Sequence, residues 1–326
     1  YIIFICNRTR TCGGYKMKNR IKYDRHKSAK IKKAKSIILF TAVALFVIAG
    51  GALMAKKVFN YFEITQAKQI ETSDEIINSN GDADVSADDK EIKGDQNPDS
   101  ETPEFVQHYL DQQMRGEMPD GADGQKVVYL TFDDGPSETV TPQILDELKA
   151  ENVHATFFVV GKYVNGSEKQ KELVKRIVEE GNAIGIHSYS HDYNYLYPNK
   201  SVNTDNFMAD VEKTNEALRN VLGDDFETKA IRLPGGHMTW KNTQALDDLF
   251  KQNGYSYIDW NALSKDAEGP KKTAEQLAQE AINTAGSKEK VVLLMHDTYG
   301  KEETAKSLPA IIKYFKEQGY QFKVIK

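Results

Sequence analysis

Cysteine is nearly missing from this chain, and the two present, Cys6 and Cys12, fall within its first sixteen residues. Everything beyond them lacks a disulfide framework and a thiolate metal site. Basic charge is also scarce once the N-terminal segment is passed. From Phe59 on, 29 basic residues stand against 47 acidic ones, a formal charge of −18. That balance argues against nucleic acid, which would be repelled at long range, and leaves neutral glycans and divalent cations acceptable. Solubility alone accounts for the acidity without any steering role. No internal repeat is visible, and long apolar runs are absent but for one.

That one run, Ile37 to Ala55, carries no charge. At 1.5 Å per residue it reaches roughly the 30 Å of a bilayer core. Residues 16–35 before it hold ten Lys or Arg against one acid, Asp24. The bias of positive charge toward the cytoplasm predicts a cytoplasmic segment over 1–35, an uncleaved single-pass helix over 36–55 and everything later outside. A cleavable signal peptide is the alternative, although its apolar core should be shorter. Residues 1–16 differ in character from the basic stretch after them, and Met17 opens a plausible basic leader, so the first sixteen read as upstream translation. Residues 56–104 read as an extracytoplasmic linker. Within it, 66–104 hold twelve acids and three lysines with little aromatic content, too few apolar groups to offset the entropy of ordering. A short helix with its lead-in is expected over 105–125, packed at the domain edge.

From residue 126 to 326 short β-rich runs alternate with amphipathic helices. Seven runs are expected: Lys126 to Phe132, His154 to Val160, Asn182 to Ile186, Lys229 to Leu233, Tyr255 to Trp260, Lys290 to Met295 and Gln321 to Ile325. Helices are expected between them at Thr141 to Glu151, Glu168 to Gly181, Thr204 to Leu222, Asn242 to Gly254, Thr273 to Gly286 and Ala305 to Gly319. Continuous rather than alternating apolar strands imply a parallel sheet covered by helices. The count predicts an α/β fold, a short distorted (β/α)7 barrel, with an open doubly wound sheet as the alternative.

Five polar stretches fall where predicted strands run out: Thr131 to Pro136, His187 to His191, Arg232 to Gly235, Asp259-Trp260 and Leu294 to Asp297. Parallel strands gather their carboxyl ends on one face, so these stretches predict a single site. His187 and His191 are four apart, and a helical turn at Ser188 to Ser190 would point both imidazoles the same way. The pair alone is equally readable as surface or packing histidines. Adjacent Asp133 and Asp134 could divide metal binding from proton acceptance, or merely form a turn with Gly135-Pro136. His237 reads as a solvated loop histidine and His154 as structural.

In this order, TFDDGP, HSYSH, RLPG, a Trp before a later Asp, and LLMH resemble the polysaccharide deacetylases, carbohydrate esterase family 4 with the NodB-type domain. The likeness covers about 200 residues, 126–326. It implies a distorted (β/α)7 barrel and metal-dependent removal of acetyl groups from sugars. It further implies that Asp134, His187 and His191 ligate the metal, zinc before cobalt, nickel or manganese, while Asp133 takes the proton from an activated water. His296 would protonate the departing amine, Arg232 would pair with Asp133, and Asp266 would partner His296 and raise its pKa. Gly235 would offer a backbone N–H to the oxyanion, and Trp260 with Leu294 would wall the acetyl methyl. Two departures from the family pattern stand out. Gly235-Gly236-His237 follows Pro234 where an aromatic is common, and DWNALSKDA lacks one carboxylate and a second Trp.

The combined expectation is a membrane-anchored, extracytoplasmic, metal-dependent deacetylase of cell-wall glycan, N-acetylglucosamine of peptidoglycan first, on a Gram-positive-type surface. Its partners would be that glycan and the membrane, without nucleic acid or an implied protein partner. Alternatives are a deacetylase of chitooligosaccharide, xylan, exopolysaccharide or muramic residues, or a silent glycan-binding protein that keeps the barrel.

Overall fold

The computed structural model describes residues 99–326. The expected membrane span and nearly all of the acidic linker lie outside these residues. Among the described residues no helix is long and apolar enough to cross a membrane.

The described chain starts with β1 (Ser100–Glu101) and α1 (Pro103–Met114). Then come β2 (Val127–Asp133), α2 (Thr141–Ala150), β3 (Thr156–Val159), the single turn α3 (Gly161–Val164) and α4 (Glu168–Glu179). β4 (Ala183–Ile186) leads to a second single turn, α5 (Tyr193–Leu196), and the long α6 (Thr204–Leu222). They are followed by β5 (Ala230–Ile231), α7 (Gln244–Gln252), β6 (Ser256–Tyr257), β7 (Ala262–Leu263) and α8 (Ala274–Ala285). β8 (Lys290–His296), α9 (Glu302–Glu317), β9 (Gln321–Phe322) and β10 (Val324–Ile325) complete the set. Local chemistry sets the helix ends. Ser167 with Gln170, and Thr273 with Gln276, form reciprocal capping boxes at the starts of α4 and α8.

The main sheet runs in the order β6-β5-β4-β3-β2-β8-β7, and every pairing is parallel. β6 and β7 stand at opposite ends of that order, yet only residues 258–261 separate them. The Ile258 N–H donates to Ile231 O on β5, and the Asn261 N–H to Val292 O on β8, at 2.8 and 3.2 Å. One extended segment thus bonds to both edges and curls the sheet round, which decides for the distorted barrel over an open sheet. Taken with β9 and β10 as one strand, it brings the count to the seven expected. β2 pairs with β8 along its whole length, while its other edge is shared by β9 at Val127 and Val128 and by β3 from Thr131 to Asp133.

Alternation along the strands sorts side chains inward and outward. On β2, Val128, Leu130 and Phe132 face the helices in the larger core, whereas Val127 and Tyr129 face the barrel interior. The same parity carries Thr131 and Asp133 inward. On β8, Val291, Leu293 and Met295 face the helices and Val292 faces the interior, so Leu294 and His296 follow it inward.

The packing corrects two expectations. α1 is no edge helix: Val106 and Leu110, each 1% exposed, join Val127, Tyr129 and Phe158 inside the barrel. Each such side chain contributes about 1.5–3 kcal/mol by burial. Gln107 and Gln113 also accept bonds of 2.8 Å from the Asp259 N–H and the Asn261 amide, so α1 plugs the curled sheet. The expected linker, moreover, is ordered at its end. β1 pairs with β10, and Glu101 accepts from the Tyr129 hydroxyl and from Lys323 Nζ, which offset the cost of ordering it.

Candidate active site

Asp133 is the last residue of β2 and His296 the last of β8, and the two are paired in register. Arg232 directly follows β5, and His187 directly follows β4. These side chains therefore meet at the carboxyl ends of the strands, the face predicted from the motifs.

Asp134, His187 and His191 each aim one ligand atom at a common point, all within 4.8 Å of one another. His191 Nε2 lies 3.0 Å and His187 Nε2 3.4 Å from Asp134 Oδ1. Asp134 Oδ1 is itself buried and has no hydrogen-bond partner. A buried carboxylate oxygen facing two imidazole nitrogens is an expensive arrangement on its own and a fitting cradle for a divalent ion. His187 Nδ1–H donates to Arg232 O at 2.7 Å, which leaves Nε2 as the free lone pair on the ion side. Asp134 is half-buried, and desolvation opposes its charge, yet the two histidines hold its carboxyl well below the usual carboxylate range.

The backbone is bent to achieve this. Asp134, Ser188 and His191 all have positive φ, at 74°, 60° and 51°. For residues other than glycine each such conformation costs on the order of 1–3 kcal/mol and persists where surroundings impose it. Ser188 Oγ accepts from the His191 N–H at 3.0 Å. Asp210 on α6 accepts from the Tyr189 and Ser190 N–H groups at 3.2 and 2.8 Å. The expected helical turn at 188–190 is therefore a left-handed bend pinned from α6. The imidazoles still converge, with ring centroids 5.2 Å apart.

Asp133 belongs to a different network. Its Oδ1 accepts from Arg232 Nη1 at 2.9 Å, and both side chains are buried, at 4% and 0% exposure. Arg232 also donates to Thr131 Oγ1, Ile258 O and Asp259 O, and its guanidinium lies 4.1 Å over the Phe158 ring. Asp133 Oδ2 is left toward the mouth, 3.8 Å from His187 Nε2. Because each partner neutralises the other in a dry site, Arg232→Met is expected to destabilise the fold by about 3–5 kcal/mol. Urea unfolding of the variant measures this, and a loss below about 1 kcal/mol would show that Asp133 does not depend on the pair.

His296 Nδ1–H donates to Asp266 Oδ1 at 2.8 Å, which turns Nε2 into the mouth. Asp266 is held by the His296 N–H, by Thr304 Oγ1 and, at its carbonyl, by Lys301 Nζ. Burial opposes a charge on His296, but the hydrogen bond and charge of Asp266 prevail and raise it to about 9. Leu294 is 9% exposed. Trp260 is half-buried against Gly236, where a Cβ would come within 2.7 Å of its ring. Gly235 has φ of 82° and takes the chain through the mouth.

His237 is not a solvated loop residue. Its Nε2 lies 2.9 Å from Asp247 and its ring stacks on Tyr257 at 4.0 Å, so it takes no part in the metal set. Asp297 closes the last of the five stretches, and nothing local in the sequence gives it a role apart from following His296. It is 1% exposed, accepts from Thr141 Oγ1 at 2.6 Å, and its N–H donates to Asp133 O. A Cβ on Gly135 would sit 2.1 Å from Asp297 Oδ2, so this carboxyl packs directly on the turn after Asp134. Burial, with the charges of Asp134 and Asp133, pushes its pKa up to about 7.

Fold and site define a parallel α/β barrel whose mouth gathers a buried Asp133–Arg232 pair, a His296–Asp266 pair and three side chains able to hold a metal ion. Residues 120–258 match the polysaccharide deacetylase family profile. A peptidoglycan-N-acetylglucosamine deacetylase of Bacillus cereus is 34% identical over 202 residues, 61% of this chain and 68% of that protein. A carbohydrate esterase family 4 enzyme of Streptococcus mutans superposes with a TM-score of 0.63 at 38% identity, covering 70% of this chain and 93% of that one. A polysaccharide deacetylase from Bacillus cereus gives 0.54 at 33% identity over 62% and 93%. This chain belongs to the polysaccharide deacetylase family, carbohydrate esterase family 4, and is a deacetylase of the hydrolase class.

Proposed function

We propose that this protein removes the acetyl group from N-acetylglucosamine residues of peptidoglycan, with a zinc ion held by Asp134, His187 and His191. The convergence of those three ligand atoms beside a separate Asp133–Arg232 pair carries the reading. Two imidazoles and a carboxylate suit zinc, while cobalt, nickel or manganese would fit the same donors. When bound, such an ion supplies a Lewis acid and lowers the pKa of water at its open position. The chain does the rest. Arg232 holds one oxygen of Asp133, so the other is directed to take the proton as water attacks the acetamide carbon. The Gly235 N–H is assigned to the developing oxyanion. His296 donates from Nε2 to the amine nitrogen, which would otherwise be a very poor leaving group. Trp260 and Leu294 close round the acetyl methyl.

The location is part of the proposal. A single-pass anchor at 36–55, with the barrel outside the membrane, would put the wall polymer within reach. Acetate release from purified peptidoglycan, chitooligosaccharide and acetylated xylan tests the substrate, and release from xylan alone would refute the peptidoglycan assignment. Mass analysis of wall fragments from cells with and without the protein locates the sugar.

The role of His296 is testable by pH. An acid must hold its proton, so the alkaline limb of kcat is expected near 9 in the natural protein. In Asp266→Asn the limb should move down toward the ordinary imidazole value of 6.5. Stability follows the same sign: the contribution of the pair is complete below 6.5 and is lost as pH rises through about 9. An unshifted limb in the variant would remove His296 from the acid role.

A further inference from the structure

The mouth carries an aromatic wall that the acid, base and metal set do not use. Gly235 and Gly236 follow Pro234, so the backbone there offers no side chain to a substrate. Two other loops fill the space. A Cβ on Gly235 would lie 3.1 Å from Trp240 Cζ2 and 3.3 Å from Tyr193 Cε1. The Tyr193 ring meets His191 edge-on at 5.4 Å and Trp240 at 5.5 Å. Trp240 in turn stacks flat on buried Tyr197, 3.9 Å away and 5° from parallel, and its Nε1–H donates to Pro234 O at 2.8 Å. Backbone bonds from Val202 to Lys241 and from Lys241 to Lys200, each 3.0 Å, tie the two loops together. Trp240 and Tyr197 are thereby fixed as backing, while Tyr193 remains 42% exposed beside a metal ligand.

We propose that Tyr193, backed by Trp240, is the stacking platform for a pyranose ring of the glycan chain and sets the enzyme's preference for polymer over an isolated acetyl group. The inference rests on the deacetylase reading above. A rigid aromatic ring with a polar tip offers a large contact face at small entropic cost, and the apolar C–H face of a hexopyranose matches it.

The test compares the natural protein, Tyr193→Ala and Tyr193→Phe on two substrates. Chitotetraose presents pyranose rings, and p-nitrophenyl acetate presents none. Tyr193→Ala is expected to raise KM for chitotetraose about tenfold, the size of one aromatic contact, with kcat nearly unchanged. Hydrolysis of p-nitrophenyl acetate should stay at the natural level, and Tyr193→Phe should restore the KM. Both tryptophans of the chain, Trp240 and Trp260, lie at the mouth. Titration of chitotetraose into metal-free protein, read by their fluorescence, should therefore give a matching rise in Kd. An equal loss on both substrates would reduce Tyr193 to a support for His191, and unchanged KM and Kd would place the sugar elsewhere. If the natural protein binds the tetramer through Tyr193 yet releases no acetate from it, the catalytic reading fails for that glycan and the platform stands.

Discussion

Replacing Asp133 by Asn is expected to lower kcat by a factor of about 10²–10⁴, the range a positioned general base supplies. The amide has the shape of the carboxylate and can still accept from Arg232 Nη1, now 2.9 Å from Oδ1. What it loses is the capacity to receive a proton at the oxygen left toward the mouth. Stability will also fall, because the Arg232 charge is then buried without its counter-charge. The two effects separate cleanly when rate is measured well below the variant's melting temperature and chitotetraose affinity is measured beside it. Unchanged affinity with collapsed kcat identifies the base, whereas full turnover in the variant would end that assignment.

Removing divalent ions with a chelator should abolish acetate release, and adding zinc should restore it. The same titration has a readout independent of turnover. An ion that binds only the folded chain stabilises it by about 2.7 kcal/mol at a hundredfold excess over Kd, so the melting temperature should climb on zinc addition. His191→Ala is expected to erase both the recovery and the climb, since a set of three ligands is cut to two. Activity that survives exhaustive chelation, with no thermal response to zinc, would overturn the metal mechanism.

Much of this site is legible in the sequence because its chemistry sits at strand ends. The run from Val127 to Phe132 is almost continuously apolar, so β2 can be read directly to within one residue: the expected run stops at Phe132, and the strand extends to include Asp133. α6 falls on its expected residues, with the Asn203 side chain at its start and Gly223 at its end. Other features depend on contacts between distant residues. Nothing local announces that 256–263 pairs first with β5 and then with β8, or that β9 wedges against β2. The left-handed bend at Ser188 is imposed by Asp210, twenty-two residues downstream in the sequence. Gly135 reads as a turn glycine, whereas its lack of a side chain is what admits Asp297. Tyr193 and Trp240 belong to no motif and become neighbours only through the 200–202 and 241 backbone bonds.

β1 is paired with β10 near the starts of β2 and β3, and Asp99 accepts from the Val324 N–H. The reactive side chains occupy the opposite ends of those strands. Asp99 therefore stands at the heel of the barrel, and the cleft opens on the face farthest from it, so neither β1 nor β10 narrows the approach to the site.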